Sequence, residues 1–267
     1  MTAFALITDI LYFTRAEQTI NDLRTRGKWS GTVVLATIDF DLSDEFKRKY
    51  NVIEVKFTPI DKSGLLEKIG PNGFANSDKR ELHKLNQWEK FHIFDEYFTQ
   101  WERIVFLDAG LRVLDTVEHL LELDYKGKIL APNDCAPYFH PDKVFKHQMD
   151  HAKPELIEQV ITDFGLGILE SQYFLNCMWI YDTDILKICD KKQMIEAMNT
   201  YPVCRTNEMT IMNLLLHFKY GLWQAFPIKT KSGEKYLFEW NESNHPFPTS
   251  WTDYCYMKYP SFHLFHL

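Results

Sequence analysis

The chain has 267 residues, with 30 Lys and Arg against 37 Asp and Glu and a formal net charge of −7. That balance excludes a nucleic-acid binder driven by bulk positive charge. Apolar residues at 45% and charged residues at 25% are ordinary globular usage, which excludes disorder and leaves enough chain for a core without metal or disulfide staples.

Met1 to Asp9 lacks a basic stretch and meets an aspartate after a short apolar run, the wrong pattern for a signal peptide. No stretch approaches the ~18 apolar residues of a membrane span, so the expected location is cytoplasmic. Five cysteines, at 135, 177, 189, 204 and 255, form no CxxC pair and are read as buried, inert thiols.

Short runs rich in Val, Ile and Phe predict strands at Phe4 to Thr8, Thr32 to Ile38, Val52 to Thr58, Arg103 to Leu107 and Lys128 to Pro132. Between them, helical periodicity predicts crossover helices at Arg15 to Arg26 and Arg80 to Phe98, the second carrying Leu82, Leu85, Trp88, Phe91, Phe94 and Phe98. Ser43 followed by Asp44 and Glu45 reads as a cap and acidic first turn of a short helix ending near Tyr50. Alternating strands and helices are the mark of βαβ units and a mostly parallel sheet. In the second half, Tyr173 to Tyr181 reads as a buried strand and Asn207 to Tyr220 as a helix. Short strands follow at Gln224 to Ile228 and Lys235 to Trp240, then a Pro- and Trp-rich loop over Asn241 to Tyr259. One α/β domain is expected over residues 1–267, its nucleotide-binding half in 1–134 and its acceptor-binding half in 135–267.

The chemistry centres on Arg103-Ile104-Val105-Phe106-Leu107-Asp108-Ala109-Gly110, a carboxylate placed directly after an apolar strand. In an open parallel sheet, ligands bind outside the carboxyl ends of the strands, where an acid can hold a cation or a ribose hydroxyl. Such an acid is equally a common turn or helix cap. Upstream stands Lys84-Leu85-Asn86-Gln87-Trp88-Glu89-Lys90-Phe91, and downstream Leu111-Arg112-Val113-Leu114.

Together these segments resemble the glycogenin-like nucleotide-sugar glycosyltransferases. There a lysine-bearing helix precedes an apolar strand that ends in Asp-Ala-Asp and an apolar segment. The resemblance extends to Thr8-Asp9-Ile10-Leu11-Tyr12 on the first strand and to Ala131-Pro132-Asn133-Asp134. It implies a GT-A-like fold, Rossmann-like and mostly parallel with a smaller antiparallel region. It further implies transfer of a sugar from a nucleotide-sugar, a UDP-sugar above all, to a hydroxyl acceptor with retention of configuration. Carried over residue by residue, it assigns Thr8, Asp9 and Tyr12 to the nucleotide and Asp108 to ribose or metal. It gives Asp134, Asn176 and Glu208 to the donor sugar or acceptor, while Lys90 and Arg112 are the candidates for the phosphates because they flank the strand end, with Lys84, whose Lys-Leu-x-x-Trp setting also resembles the family, as a backup.

In this family Mn²⁺ or Mg²⁺ clamps the diphosphate. Here the second acid of Asp-X-Asp is Gly110, leaving Asp108 and His263 as expected ligands. A metal-independent enzyme, or a nucleotide- or carbohydrate-binding pseudoenzyme, therefore stays open as an alternative. The acceptor, a glycan or other hydroxyl compound, would meet Trp240, Asn241, Glu242, His245, Trp251, Asp253 and Tyr254. A homodimer is allowed.

Asp39-Phe40-Asp41 and Asp182-Thr183-Asp184 read as helix caps. His147 and His151 have helical i, i+4 spacing, but Gln148 stands where the zinc-protease motif needs glutamate, so they read as surface histidines.

Overall fold

The computed structural model describes residues 1–69, 82–113, 116–134, 143–204, 208–226, 237–240, 255–259 and 262–266. Its strands are β1 (Thr2–Thr8), β2 (Thr32–Thr37), β3 (Val52–Lys56), β4 (Arg103–Leu107), β5 (Leu111–Val113), β6 (Ile129–Ala131), β7 (Met178–Asp182), β8 (Trp223–Ala225), β9 (Leu237–Trp240), β10 (Cys255–Tyr259) and β11 (Phe262–His266). The α-helices are α1 (Phe13–Thr25), α2 (Asp44–Tyr50), α3 (Ser63–Ile69), α4 (Glu118–Leu121), α5 (Pro154–Phe164), α6 (Lys191–Thr200) and α7 (Glu208–Met212).

The main sheet runs β3-β2-β1-β4-β7-β6-β8. The pairs β1–β2, β2–β3, β1–β4 and β6–β8 are parallel, while β7 runs against both β4 and β6. Six strands therefore point their carboxyl ends to one edge, and β7 begins there. The expected mixed sheet, mostly parallel, is what the chain builds. A second, antiparallel sheet, β5-β11-β10-β9, joins the segment just after β4 to the end of the chain.

Strands β1, β2 and β4 are buried almost throughout, as continuous apolar runs in a sheet covered on both faces should be. Ser43 caps α2 by accepting from Phe46 N at 3.2 Å, and Asn51 at φ +49° ends it in the left-handed conformation.

The predicted helix at 80–98 is wound more tightly, as a 3-10 helix over Leu82–Phe94 and another over Glu96–Gln100. The sequence carries the reason: Leu82, Leu85, Trp88, Phe91 and Phe94 recur every three residues, and at three residues per turn such a row lies along one edge. Trp88, Phe91 and Phe94 are buried. Phe94 stacks on Trp179 and Tyr181 of β7, with ring centroids 5.8 and 5.2 Å apart. The apolar run from Tyr173 is a strand only from Met178; before it, Phe174 makes an isolated bridge to Asn133. The predicted helix from Asn207 starts at Glu208 and widens to a π-helix over Asn213–Lys219.

Candidate active site

The turn from β1 into α1 is pinned by a buried carboxylate. Asp9 accepts from Tyr12 N at 2.9 Å on one oxygen and from Asn86 Nδ2 at 2.7 Å on the other. The Thr8 hydroxyl donates to Asp9 O at 2.9 Å, and Ile10 N donates to Asp39 Oδ1 at 2.9 Å. Thr8 and Asp9 are buried while Tyr12 is half-buried, so the turn presents the Tyr12 ring and keeps Asp9 as its brace. The Arg15 guanidinium lies over that ring, 4.8 Å from its centroid. Arg15 is half-buried; desolvation draws its pKa down, while Tyr12 and Asp108 push it up.

Asp108 follows β4, where its N–H donates to Cys177 O at 2.9 Å. Lys90, from the 3-10 helix Leu82–Phe94, sits between two carboxylates, 3.1 Å from Asp108 Oδ2 and 3.0 Å from Glu208 Oε1. Glu208, the first residue of α7, also accepts from Asn176 Nδ2 at 2.7 Å. Side-chain exposure grades outward through the cluster: 2% for Glu208, 6% for Lys90 and 21% for Asp108. Burial would pull the Lys90 ammonium down, but the charges of Asp108 and Glu208 outweigh it and hold its pKa above the usual lysine range. Burial pushes the Glu208 carboxyl up and Lys90 pulls it back, with the upward push larger. Glu208 Oε2 is buried with no hydrogen-bond partner among the described residues.

Asp134, after β6, is equally buried. Its Oδ2 takes Lys143 Nζ at 3.2 Å and the Tyr173 hydroxyl, while Oδ1 has no hydrogen-bond partner among the described residues. Gln148 Nε2 in turn donates to the Tyr173 hydroxyl at 2.6 Å.

The sheet edge thus gathers Thr8, Asp9, Tyr12, Asp108, Asp134 and Asn176, and Lys90 and Glu208 join Asp108 and Asn176 there. Arg112 goes elsewhere. Its guanidinium grips Asp22 of α1 through both carboxylate oxygens, Nη2 to Oδ1 at 3.2 Å, tying β5 to the helix rather than standing over the strand end. Sequence reasoning passed over Arg15 and Asn86, although Arg15 lies three residues after Tyr12, the spacing of neighbours on a helix face. It also passed over Thr19, whose hydroxyl accepts from Gly110 N at 3.2 Å and donates to Leu111 O at 2.7 Å.

Of the acidic triplets, Asp182 caps the turn beyond β7 by accepting from Asp184 N at 3.1 Å, whereas Asp39 braces Ile10. His151 is exposed and His147 half-buried. Cys177, Cys189 and Cys204 are buried free thiols. Residues 241–254, with the expected acceptor contacts, and Cys135 lie outside the described residues, as do the side chains of Lys84, Trp240, Cys255 and His263.

Among the described residues the donor set for a divalent cation is thin. Asp108 already holds the Lys90 ammonium, and Gly110 offers no side chain; its φ of +115° is a conformation an aspartate would adopt only under strain. Among the described residues no three His, Cys, Asp or Glu side chains cluster as metal ligands. The backbone pairing places His266, not His263, opposite Leu111 at the Asp108 end of β5; His263 pairs with Lys258 on β10. Mn²⁺ and Mg²⁺ are held by one or two carboxylates together with substrate phosphates and water; among the described side chains at this turn Asp108 is the carboxylate so placed, and it already holds the Lys90 ammonium, so the described residues alone do not complete such a site.

No protein-family model and no curated protein sequence matches the chain. Solved structures do. The galactosyltransferase LgtC, in complex with donor and acceptor sugar analogues, aligns with a TM-score of 0.55 at 14% identity, over 84% of this chain and 72% of that one. Core-mannan synthase A from Aspergillus fumigatus, in its Mn/GDP form, aligns with a TM-score of 0.50 at 13% identity, again over 84% and 72%. The glycosyltransferase GlyE from Streptococcus pneumoniae aligns with a TM-score of 0.48 at 13% identity over 84% of this chain, which spans 44% of that protein's length. At such identities the likeness speaks to architecture. No described helix is long and apolar enough to cross a membrane. With its order of parallel strands, its antiparallel β7 and its strand-end aspartate, the chain has the fold of the GT-A glycosyltransferases.

Proposed function

We propose that the protein is a glycosyltransferase that moves a hexose or pentose from a UDP-sugar to a hydroxyl acceptor. The observation that carries this reading is the convergence of Asp108, Lys90, Glu208 and Asn176 beside the Tyr12 turn, at the edge where six strands end. Ligands of open α/β sheets bind at that edge. In this reading the Tyr12 ring and the Thr8–Asp9 turn receive the uracil, and Asp108, the most exposed of the three charged groups, accepts from the ribose hydroxyls. Asn176, Glu208 and Asp134 face the donor sugar and the acceptor. The anomeric carbon's bond to the phosphate oxygen breaks as its bond to the acceptor oxygen forms. The acceptor proton passes to the departing phosphate, and configuration is retained. Negative charge grows on the leaving diphosphate, so fixed positive charge at this mouth favours the transition state.

Calorimetric titration with UDP and GDP, followed by a scan of UDP-sugars for hydrolysis, tests the reading. Saturable UDP binding that Asp108→Ala weakens at least tenfold, with hydrolysis of one or more donors, is the expected result. No binding of either nucleotide overturns it. Gly110 favours a second reading, a nucleotide-binding protein without transfer activity; UDP binding with no donor turnover and no transfer to any glycan tried would select it.

A further inference from the structure

Resting on that reading of the site, we infer that Arg15 supplies the positive charge that meets the donor diphosphate, in the place a divalent cation takes where Asp-X-Asp is complete. Among the described side chains around the Asp108 turn, three cations bear on this role, and their surroundings differ. Arg112 is committed to Asp22 by two hydrogen bonds and holds β5 against α1. Lys90 is buried between Asp108 and Glu208, so its charge is already matched by carboxylates inside the protein. Arg15 is half-buried, lies over the Tyr12 ring at 4.8 Å and is close enough to Asp108 for the two charges to act on each other.

Arg15 therefore lies on the ring assigned to the base and within electrostatic reach of the group assigned to the ribose, the side on which a nucleotide carries its phosphates. A guanidinium suits a diphosphate. It stays charged at any working pH and offers a planar fork of donors that pairs two phosphate oxygens at once. Resting on an aromatic face also limits its rotamers, so less freedom is lost on binding. The same geometry accounts for Gly110. With the cation covalently attached to α1, the turn after Asp108 needs no second carboxylate, and its backbone adopts the φ of +115° that glycine accepts. Thr19, one helical turn beyond Arg15, receives the Gly110 N–H and so fixes helix and turn to each other.

The test compares UDP with uridine on the purified full chain, by calorimetry, in EDTA and in Mn²⁺. The wild type should bind UDP in EDTA, with Mn²⁺ changing the affinity by less than about threefold. Arg15→Met should weaken UDP about 10- to 100-fold, the range of a bidentate charged hydrogen-bonded pair, and leave uridine unchanged; Arg15→Lys should recover part of the loss. Unchanged melting temperatures establish that the variants are folded. Equal loss of UDP and uridine in Arg15→Met, or no loss of UDP, overturns the inference, as does a wild type that binds UDP only with Mn²⁺. All three leave the transferase reading standing. A wild type that binds neither ligand in either medium overturns both.

Discussion

Lys90 is the residue on which the candidate site turns, because it is the cation that lets two carboxylates stand together almost out of water. An ion pair of this burial adds little net stability, but removing one partner leaves uncompensated charge and costs about 3–5 kcal/mol. Lys90→Met should show a loss of that size by urea unfolding at neutral pH. The pH dependence follows from the surroundings. Lys90 titrates higher in the folded chain than in the unfolded one, so the stability it contributes is fully present below the ordinary lysine value of 10.5 and fades only as pH rises through its raised folded value. The deficit of Lys90→Met should narrow as the pH falls from 9, because Glu208, whose carboxyl burial already pushes up, loses the ammonium that held it down and takes up a proton more readily. A deficit that widened as the pH fell would contradict the charge assignment.

The elements around this cluster are placed by contacts of another kind. Helix α1 reaches the turn after Asp108 through Thr19 and reaches β5 through the Asp22–Arg112 pair, so the helix that carries Arg15 also positions the strand end. Arg112→Met should therefore cost about 3–5 kcal/mol by leaving the buried Asp22 carboxylate without its cation, with the Gln18 amide still donating to it, yet bind UDP at wild-type affinity under conditions where it is folded. Arg15→Met should do the reverse. Such differences in role were only partly legible in the sequence. The strands β1, β2 and β4 were, because buried parallel strands are continuous apolar runs bounded by turns. Asp108 was, because it interrupts such a run at its end. The fate of Arg112 was not, because Asp22 is 90 residues away and the pair exists only once α1 packs on β5. The 3-10 winding of 82–94 was written in the three-residue spacing of its apolar side chains, a period that differs from the α-helical one by little over half a residue per turn. The break at 173–177 was hidden because Tyr173, Phe174 and Leu175 are buried all the same, with Asn213 rather than a neighbouring strand satisfying the Phe174 backbone.

For the molecule as a whole, the decisive feature is that two sheets meet at Asp108. Strand β4 belongs to the seven-stranded sheet, and β5, beginning three residues after Asp108, belongs to the four-stranded one. The partner of β5 is β11, with Leu264 opposite Val113, Phe265 opposite Arg112 and His266 opposite Leu111. The turn that presents Asp108 is thus clamped on one side by a strand formed early in the chain and on the other by one from its last residues. Sequence-distant pairing of this kind is slow to form and first to open, since loop closure must precede any gain from the contact. Ending the chain before Phe262 should therefore release the amides of Leu111–Val113 to fast hydrogen exchange while those of β4 stay protected by β1 and β7. With the turn no longer held on its second side, UDP affinity should fall together with that protection. Fast exchange throughout β4 as well would mean that the two sheets form one cooperative unit. Unchanged protection at 111–113 would mean that β5 is held by Asp22 and Thr19 alone, and that the second sheet frames the acceptor side without supporting Asp108.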